Sequence, residues 1–121
     1  MKAWASLASI LLAACGDPSG PVRTIAGADP ARGLAVMERV GCATCHALPG
    51  IEWPKGRAGP PLKGFGTRTM IAGRLPNQPE VLIAWLIDPP SLAPGTAMPP
   101  SPISESEARD IAAYLYTLNE H

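Results

Sequence analysis

The chain has 121 residues, with 12 glycines and 15 prolines, a length that suits one small domain and a composition that favours short helices and long loops. Lys plus Arg and Asp plus Glu number 10 each, so the excess of positive charge expected of a nucleic-acid-binding protein is missing. At 46% hydrophobic the chain is too apolar for wholesale disorder, yet a domain this small often needs a staple to hold a modest core.

Residues 1–14 predict a bacterial signal peptide. Lys2 precedes an uncharged run at residues 3–14, which as a helix spans about 18 Å and is too short for the roughly 30 Å hydrocarbon core of a bilayer. The run ends in Leu-Ala-Ala before Cys15, a sequence that resembles the lipobox of bacterial lipoproteins. We therefore expect Cys15 to carry a lipid anchor; the alternative is an ordinary signal peptide followed by an incidental cysteine.

Residues 15–28 are predicted to be the lipidated cysteine and a flexible tether, because Gly, Pro and Ser occur there without periodicity. The domain then extends over residues 29–121. Its first helix begins at Asp29 and Pro30, since Asp is a preferred N-cap and Pro suits the first helical position. Gly41 ends this helix.

Three further helical segments follow in the sequence. Residues 67–72 predict a short, weak helix, and Pro79 begins an apolar helix that ends before Pro89. Ser104 and Glu107 form a capping box at the start of a terminal helix. No segment alternates with period two for long enough to predict a strand. The sequence therefore predicts an all-α domain of about four short helices joined by long loops.

Cys42, Cys45 and His46 form a Cys-x-x-Cys-His motif directly after the first helix. This is the attachment motif of c-type haem, in which each thiol adds to a vinyl group and the histidine binds the iron. A thioredoxin-like redox pair needs a βαβ context that the sequence lacks, and a closed zinc site needs four ligands, of which the terminal His121 would be one. We predict one covalent haem, which also supplies part of the core.

Met98 is the predicted sixth ligand of the iron. It lies in the loop Pro-Gly-Thr-Ala-Met-Pro-Pro, whose prolines lower the entropy cost of holding one side chain in place. Histidine is disfavoured because His121 is terminal. Met37 is expected to pack inward from the first helix, and Met70 lies in the weak helical segment.

These motifs together resemble class I cytochromes c over nearly all of residues 29–118. A narrower similarity, in residues 68–80 and 84–89, is to the cytochrome c domain fused to subunit II of bacterial haem-copper oxidases. The resemblance implies the class I cytochrome c fold and a carrier of single electrons to such an oxidase. No copper-binding domain or transmembrane hairpin is present in the sequence, so a free-standing, lipid-tethered electron donor fits better than an oxidase subunit. We expect this donor to be monomeric and to lie on the extracytoplasmic or periplasmic side of the membrane.

The same resemblance implies roles for individual residues. The carbonyl group of Pro60 or Pro61 accepts a hydrogen bond from the proximal imidazole. Trp85 donates a hydrogen bond to a haem propionate, with plain core packing as the alternative. Arg68 and Arg74 neutralise the propionates, or else form a solvated basic face.

Gly33 corresponds in the resemblance to a glycine at which the first helix crosses the last, against Tyr114. Such a position has a physical reason to be glycine, since it has no Cβ to keep the two helices apart.

Two other functions remain open beside the electron carrier. A haem-based sensor or peroxidase-like enzyme needs a distal acid or base, yet residues 40–51 and 89–103 contain no ionisable side chain apart from the cysteines and histidine of the motif. A fixed electron-transfer subunit of a respiratory complex is the third possibility. The same lack of charge predicts an apolar docking face, with the contact residues Leu92, Ala93 and Ala97, and a transfer rate that depends weakly on salt.

Overall fold

The computed structural model describes Met1 and residues 23–119. Residues 2–14 of the predicted signal peptide, Cys15 and His121 lie outside the described residues. Within the described part, no helix is both long enough and apolar enough to cross a bilayer.

The described part contains four α-helices and one small antiparallel hairpin. Two single 3₁₀ turns, Cys42–Thr44 and Phe65–Thr67, complete it. In chain order the other elements are α1 (Pro30–Val40), β1 (Met70–Ile71), β2 (Leu75–Pro76), α2 (Pro79–Ile87), α3 (Pro89–Leu92) and α4 (Glu105–Tyr116). The predicted all-α class is confirmed.

The prediction of a weak helix at residues 67–72 is wrong. Its first residue ends a 3₁₀ turn, and β1, which follows, pairs with β2 in the register Met70 to Pro76 and Ile71 to Leu75. Strands of two residues are too short to show an alternating pattern in the sequence. The fourth helix of the fold is instead α3, which begins directly after α2 has ended.

The turn between β1 and β2 has positive φ at both central residues, 51° at Ala72 and 68° at Gly73. This is the type I′ arrangement, whose twist matches that of paired strands. Arg74 N donates to Ile71 O at 3.1 Å and closes the turn. A non-glycine residue in this conformation is strained by roughly 1–2 kcal/mol, which the sequence alone did not indicate.

The caps predicted for α1 and α4 are present. The Asp29 carboxylate accepts from the backbone N–H groups of Ala31 and Arg32 at 2.8 and 3.3 Å. Ser104 Oγ accepts from Glu107 N at 3.1 Å, and Ser104 N donates to the Glu107 carboxylate at 2.9 Å. The N-terminal ends of the first and last helices are therefore defined by local hydrogen bonds that satisfy free N–H groups.

Helices α1 and α4 cross in close contact at Gly33. A Cβ at this position would lie 2.0 Å from Asp110 O and 2.8 Å from Ile111 N. The expected close crossing is present, and the backbone that faces the glycine is that of Asp110 and Ile111, one turn before Tyr114.

A buried carboxylate joins the same two helices. Asp110 is only 4% exposed, and its carboxylate accepts from Arg32 Nε at 2.9 Å and from Asp29 N at 2.7 Å. The hydrogen bond from Arg32 holds the pKa of Asp110 below its usual value. The start of α1 is thus fixed to the middle of α4 by charge-assisted hydrogen bonds.

Residues 23–28, the end of the predicted tether, pack against the domain. Arg23 Nη1 donates to Gly66 O at 2.9 Å, and its guanidinium lies 5.6 Å from the centre of the Tyr116 ring. Arg109 Nη2 donates to Ala26 O at 3.2 Å, and Ile25 packs on the core. Residues 23–28 therefore belong to the folded domain and not to the tether.

Candidate cofactor site

A cavity of about 270 Å³ lies between the Cys-x-x-Cys-His motif, β1, α2, the loop that contains Met98 and α4. Voids larger than a water molecule are rare in packed cores, so a cavity of this size is a site for a large ligand. Seven of the predicted site residues line it: Cys42, Cys45, His46, Pro60, Arg68, Trp85 and Met98. Pro61 and Arg74 are not among its lining residues.

The 3₁₀ turn Cys42–Thr44 shapes the motif. Its tight path lets both Cys45 N and His46 N donate to Cys42 O, at 3.2 and 3.0 Å. Both thiols and the imidazole consequently line one cavity. Cys42 is half-buried and Cys45 is exposed, and burial raises the pKa of the Cys42 thiol.

The His46 ring is oriented by a backbone carbonyl group. Nδ1 lies 2.7 Å from Pro60 O, and since a carbonyl oxygen only accepts, Nδ1 is the protonated nitrogen and donates. The lone pair is then on Nε2, where an imidazole can bind a metal. Of the two prolines, Pro60 is the one beside the ring, whereas the Pro61 carbonyl accepts from Arg68 Nη2.

Residues 51–62, here called the proximal loop, lie directly on the motif. Gly56 N donates to Ala43 O at 2.9 Å and Gly59 N to Cys45 O at 2.8 Å. A Cβ on Gly56 would lie 2.3 Å from the carbonyl carbon of Cys45, and a Cβ on Gly59 would lie 2.3 Å from His46 Cε1. Two glycines therefore allow the loop to approach the motif and the imidazole closely, a role that their sequence context did not reveal.

Residues 93–103, here called the distal loop, contribute Met98 to the cavity wall. Gly95 has a φ of 88°, and Thr96 N donates to Ala93 O at 3.1 Å. Met98 N donates in turn to Thr96 Oγ1 at 3.3 Å. Met37 and Met70 also line the cavity, so the structure brings three thioethers to it.

Trp85 and Arg68 both reach the cavity, whereas Arg74 does not. Trp85 is 7% exposed on α2. Arg68 lies over the Phe65 ring, 5.6 Å from its centre, and donates to Lys63 O at 3.1 Å. Arg74 is exposed and lines a separate shallow pocket with residues of the distal loop.

The model of the family described as cytochrome c matches residues 30–119, most of the chain. The chain belongs to the cytochrome c family. Cytochromes c carry covalently bound haem c and transfer electrons, so the predicted cofactor and the general function are confirmed.

Two curated relatives of this cytochrome are named cytochrome c oxidase subunit 2. The protein of Alkalihalophilus pseudofirmus is 40% identical over 99 residues, which cover 81% of this chain and 27% of the relative. The protein of Bacillus subtilis is 34% identical over 88 residues, covering 69% of this chain and 25% of the relative. The chain thus spans about a quarter of the length of these relatives.

Two solved structures share the fold. SoxXA from P. pantotrophus superposes with a TM-score of 0.57 at 22% identity, over 77% of this chain and 83% of that chain. Cytochrome c2 from Rhodospirillum centenum superposes with a TM-score of 0.50 at 26% identity, over 75% of this chain and 98% of that chain. The predicted class I cytochrome c fold is confirmed.

The residues present fit a c-type haem. The cavity joins two thiols, an imidazole with a fixed tautomer and thioethers to walls of apolar side chains. Gly59 leaves room for the imidazole where any side chain would collide with it. Thiols, a neutral imidazole and a thioether are the donors that covalent haem attachment and haem iron require.

Asn77 and Tyr116 form a buried polar pair that sequence reasoning missed. Asn77 is 3% exposed; its Nδ2 donates to Arg68 O at 2.9 Å, and Tyr116 Oη donates to its Oδ1 at 3.1 Å. Burial raises the pKa of Tyr116 to about 12, so the phenol remains a donor. The pair fixes the backbone of Arg68 beside the cavity. Asn77 resembled only a turn residue before α2, and its partner is 39 residues away.

Proposed function

We propose that this cytochrome is a lipid-tethered carrier that delivers single electrons to a haem-copper terminal oxidase. The observation that carries the proposal is one cavity that collects the motif, the oriented imidazole and Met98. The names of the curated relatives support the oxidase as electron acceptor. Haem c, when bound, supplies a reversible one-electron couple.

In this proposal each residue of the motif has a separate task. Cys42 and Cys45 form the two thioether links to the haem. His46 binds the iron through Nε2, and its hydrogen bond to Pro60 increases the basicity of the ring. Met98 is the second protein ligand of the iron, and a thioether ligand raises the reduction potential.

Trp85 and Arg68 are the proposed partners of the haem propionates. Both line the cavity, and Arg68 is held there by carbonyl groups and by the Phe65 ring. A fixed guanidinium offsets the cost of placing a carboxylate beside an apolar core. Arg74 is not among the residues that line the cavity, so its role beside a propionate stays a prediction without a supporting contact.

The site favours electron transfer over catalysis. Ionisable side chains that line the cavity are Cys42, Cys45, His46 and Arg68. The first three are used in binding haem, and an arginine is permanently protonated and cannot act as a general base. We therefore propose an electron-transfer protein and not a peroxidase-like enzyme.

Lipidation of Cys15 would keep the domain close to the membrane on its extracytoplasmic side. Because Arg23 is already attached to the domain, only residues 16–22 separate it from the anchor. That distance is at most about 29 Å of extended chain, comparable with the diameter of a small domain. Such a tether confines carrier and oxidase to one surface and raises their effective concentration.

The proposal is tested with membranes of the source bacterium, prepared from a strain that lacks this cytochrome. The reduced holoprotein should be oxidised by these membranes with oxygen uptake that cyanide abolishes. Oxidation that does not require the oxidase would contradict the proposal, and turnover of peroxide with an electron donor would favour the enzyme instead.

Anchoring is tested separately. Cys15→Ser should abolish incorporation of labelled fatty acid and release the cytochrome from membranes, as a separate carrier requires. Unchanged retention of this variant would indicate an uncleaved anchor. Co-purification of the wild-type protein with the oxidase after detergent extraction would indicate a fixed subunit.

A further inference from the structure

We propose that the proximal loop docks an acidic redox partner protein, with Trp53 as the apolar anchor of the contact. This inference rests on the proposed carrier function, because a carrier must present a face to its electron acceptor. It goes further in naming the docking residues and the chemistry of the partner surface.

Trp53 is unusual in its exposure. Its relative exposure is 87%, and among the aromatic side chains of residues 23–119 it alone is exposed. Tryptophan is highly buried on average, and tryptophans dominate the binding energy of many protein interfaces. A partner that covers this side chain gains the burial that the isolated domain does not provide.

The loop that carries Trp53 is joined to the cofactor site by its backbone. Gly56 and Gly59 are joined to the motif by hydrogen bonds of 2.9 and 2.8 Å, with no space for a Cβ at either position. Ala58 and Pro60 line the cavity and are exposed, so this loop forms part of the cavity rim. A partner that binds Trp53 is thereby brought close to the rim, because Trp53 and the rim residues belong to the same anchored loop.

The charges around the loop define the partner as acidic. Lys55 and Arg57 are both exposed on the loop. Residues 41–79 contain five basic side chains and one acidic side chain, Glu52, while residues 80–119 contain five acidic side chains and one basic side chain. This excess of positive charge in the segment that carries the loop attracts an acidic surface.

The distal loop and the end of α3 before it expose fewer apolar contact residues to a partner than the sequence predicted. Of the three expected contact residues, Ala93 is only 4% exposed and Leu92 is half-buried; Ala97 is exposed. The prediction of Ala93 as a contact residue is therefore wrong, because Ala93 packs in the core. The distal loop can extend the interface at Ala97, but the large apolar side chain and the charges are on the proximal loop.

The first test compares Trp53→Ala and Trp53→Phe with wild type in the membrane oxidation assay. Trp53→Ala should raise the KM at least tenfold with unchanged kcat, and Trp53→Phe should restore most of the loss. Reduction potential, visible spectrum and oxidation by ferricyanide should match wild type in both variants, since Trp53 is outside the cavity lining. A KM within twofold of wild type for Trp53→Ala overturns the proposal.

A matched pair tests the charges. Lys55→Gln and Lys63→Gln remove the same charge from the same basic segment, but Lys63 is outside the proximal loop. Lys55→Gln should raise the KM severalfold more than Lys63→Gln. Equal effects would show that the positive charge of the whole segment acts without a specific contact and would overturn the assigned docking element.

A crosslinking experiment separates this proposal from the identity of the acceptor. A photoreactive amino acid is placed at position 53, or at the exposed Ser106 on α4 as control, in cells of the source bacterium. An adduct from position 53 alone, with a redox protein whose contact surface is acidic, supports the proposal even if that protein is not an oxidase. Equal adducts from both positions, or none from position 53, overturn it.

Discussion

The proximal loop orients the predicted iron ligand His46 through Pro60, and the distal loop contains the predicted ligand Met98, but the two loops are held in different ways. The proximal loop is bound to the motif by backbone hydrogen bonds and by two glycines in close contact. In the distal loop, the stiffness of the proline-rich chain and a turn at Gly95 position the side chain of Met98. We therefore expect the proximal loop to tolerate substitution poorly, and the distal loop to tolerate loss of the iron ligand without loss of the fold.

Loss of the two covalent links between the motif and the haem should have the largest effect on haem content and on stability. In the double variant Cys42→Ala and Cys45→Ala, haem staining on a denaturing gel should disappear. We also expect the variant to unfold, because apolar burial of about 25 cal/mol per Å² against the macrocycle is lost. Haem staining at the mass of the protein would contradict the assignment of the motif.

Substitution of one glycine in each loop tests the difference directly. Gly59→Ala places a methyl group within 2.3 Å of the imidazole and should cost about 3 kcal/mol, the upper end for overpacking, with an altered visible spectrum. Gly95→Ala meets no atom within 4 Å and should cost only the backbone strain of about 1–2 kcal/mol. Denaturant unfolding of both variants measures the costs, and a larger loss for Gly95→Ala would reverse the comparison.

Met98→Ala should change the iron and leave the fold intact. We expect loss of the weak long-wavelength charge-transfer band of Met-ligated ferric haem, faster binding of cyanide and a lower potential. Met70→Leu is the control, because Met70 also lines the cavity and should leave all three properties unchanged. The opposite pattern would make Met70 the ligand.

Local patterns were the parts of the structure that the sequence could predict. The Asp29 cap, the Ser104 capping box and the Cys-x-x-Cys-His motif each lie within a few residues, so their chemistry is visible in the sequence. The hairpin and the contact of Gly59 with His46 depend on chain segments that meet only in the fold. Asp110 gave no signal because its partner Arg32 is 78 residues away.

Asp110 provides a reference outside both loops, since it joins α1 to α4. Its pKa is lower in the folded protein, so its stabilising effect is fully present above the unfolded pKa of about 3.9 and is lost as the pH falls through the folded pKa. Thermal unfolding between pH 7 and pH 3 should show wild type losing more stability than Asp110→Asn. Parallel curves would assign the acid sensitivity to other carboxylates.

The dependence of the electron-transfer rate on salt should be the smallest effect. It shows whether the proximal or the distal loop makes the main contact with the partner. An uncharged distal loop alone predicts a rate that is independent of ionic strength, whereas Lys55 and Arg57 on the proximal loop add attraction that is screened beyond about 8 Å at physiological ionic strength. For the chain with Cys15→Ser, which removes the proposed tether, we expect kcat/KM with membranes to fall roughly three- to tenfold from low to physiological salt. The further change of Lys55→Gln with Arg57→Gln should start from a lower value and give a nearly flat salt series, because the attraction that salt screens is already gone. A flat series for the chain that retains both charges would show that the distal loop docks the partner through apolar contact alone.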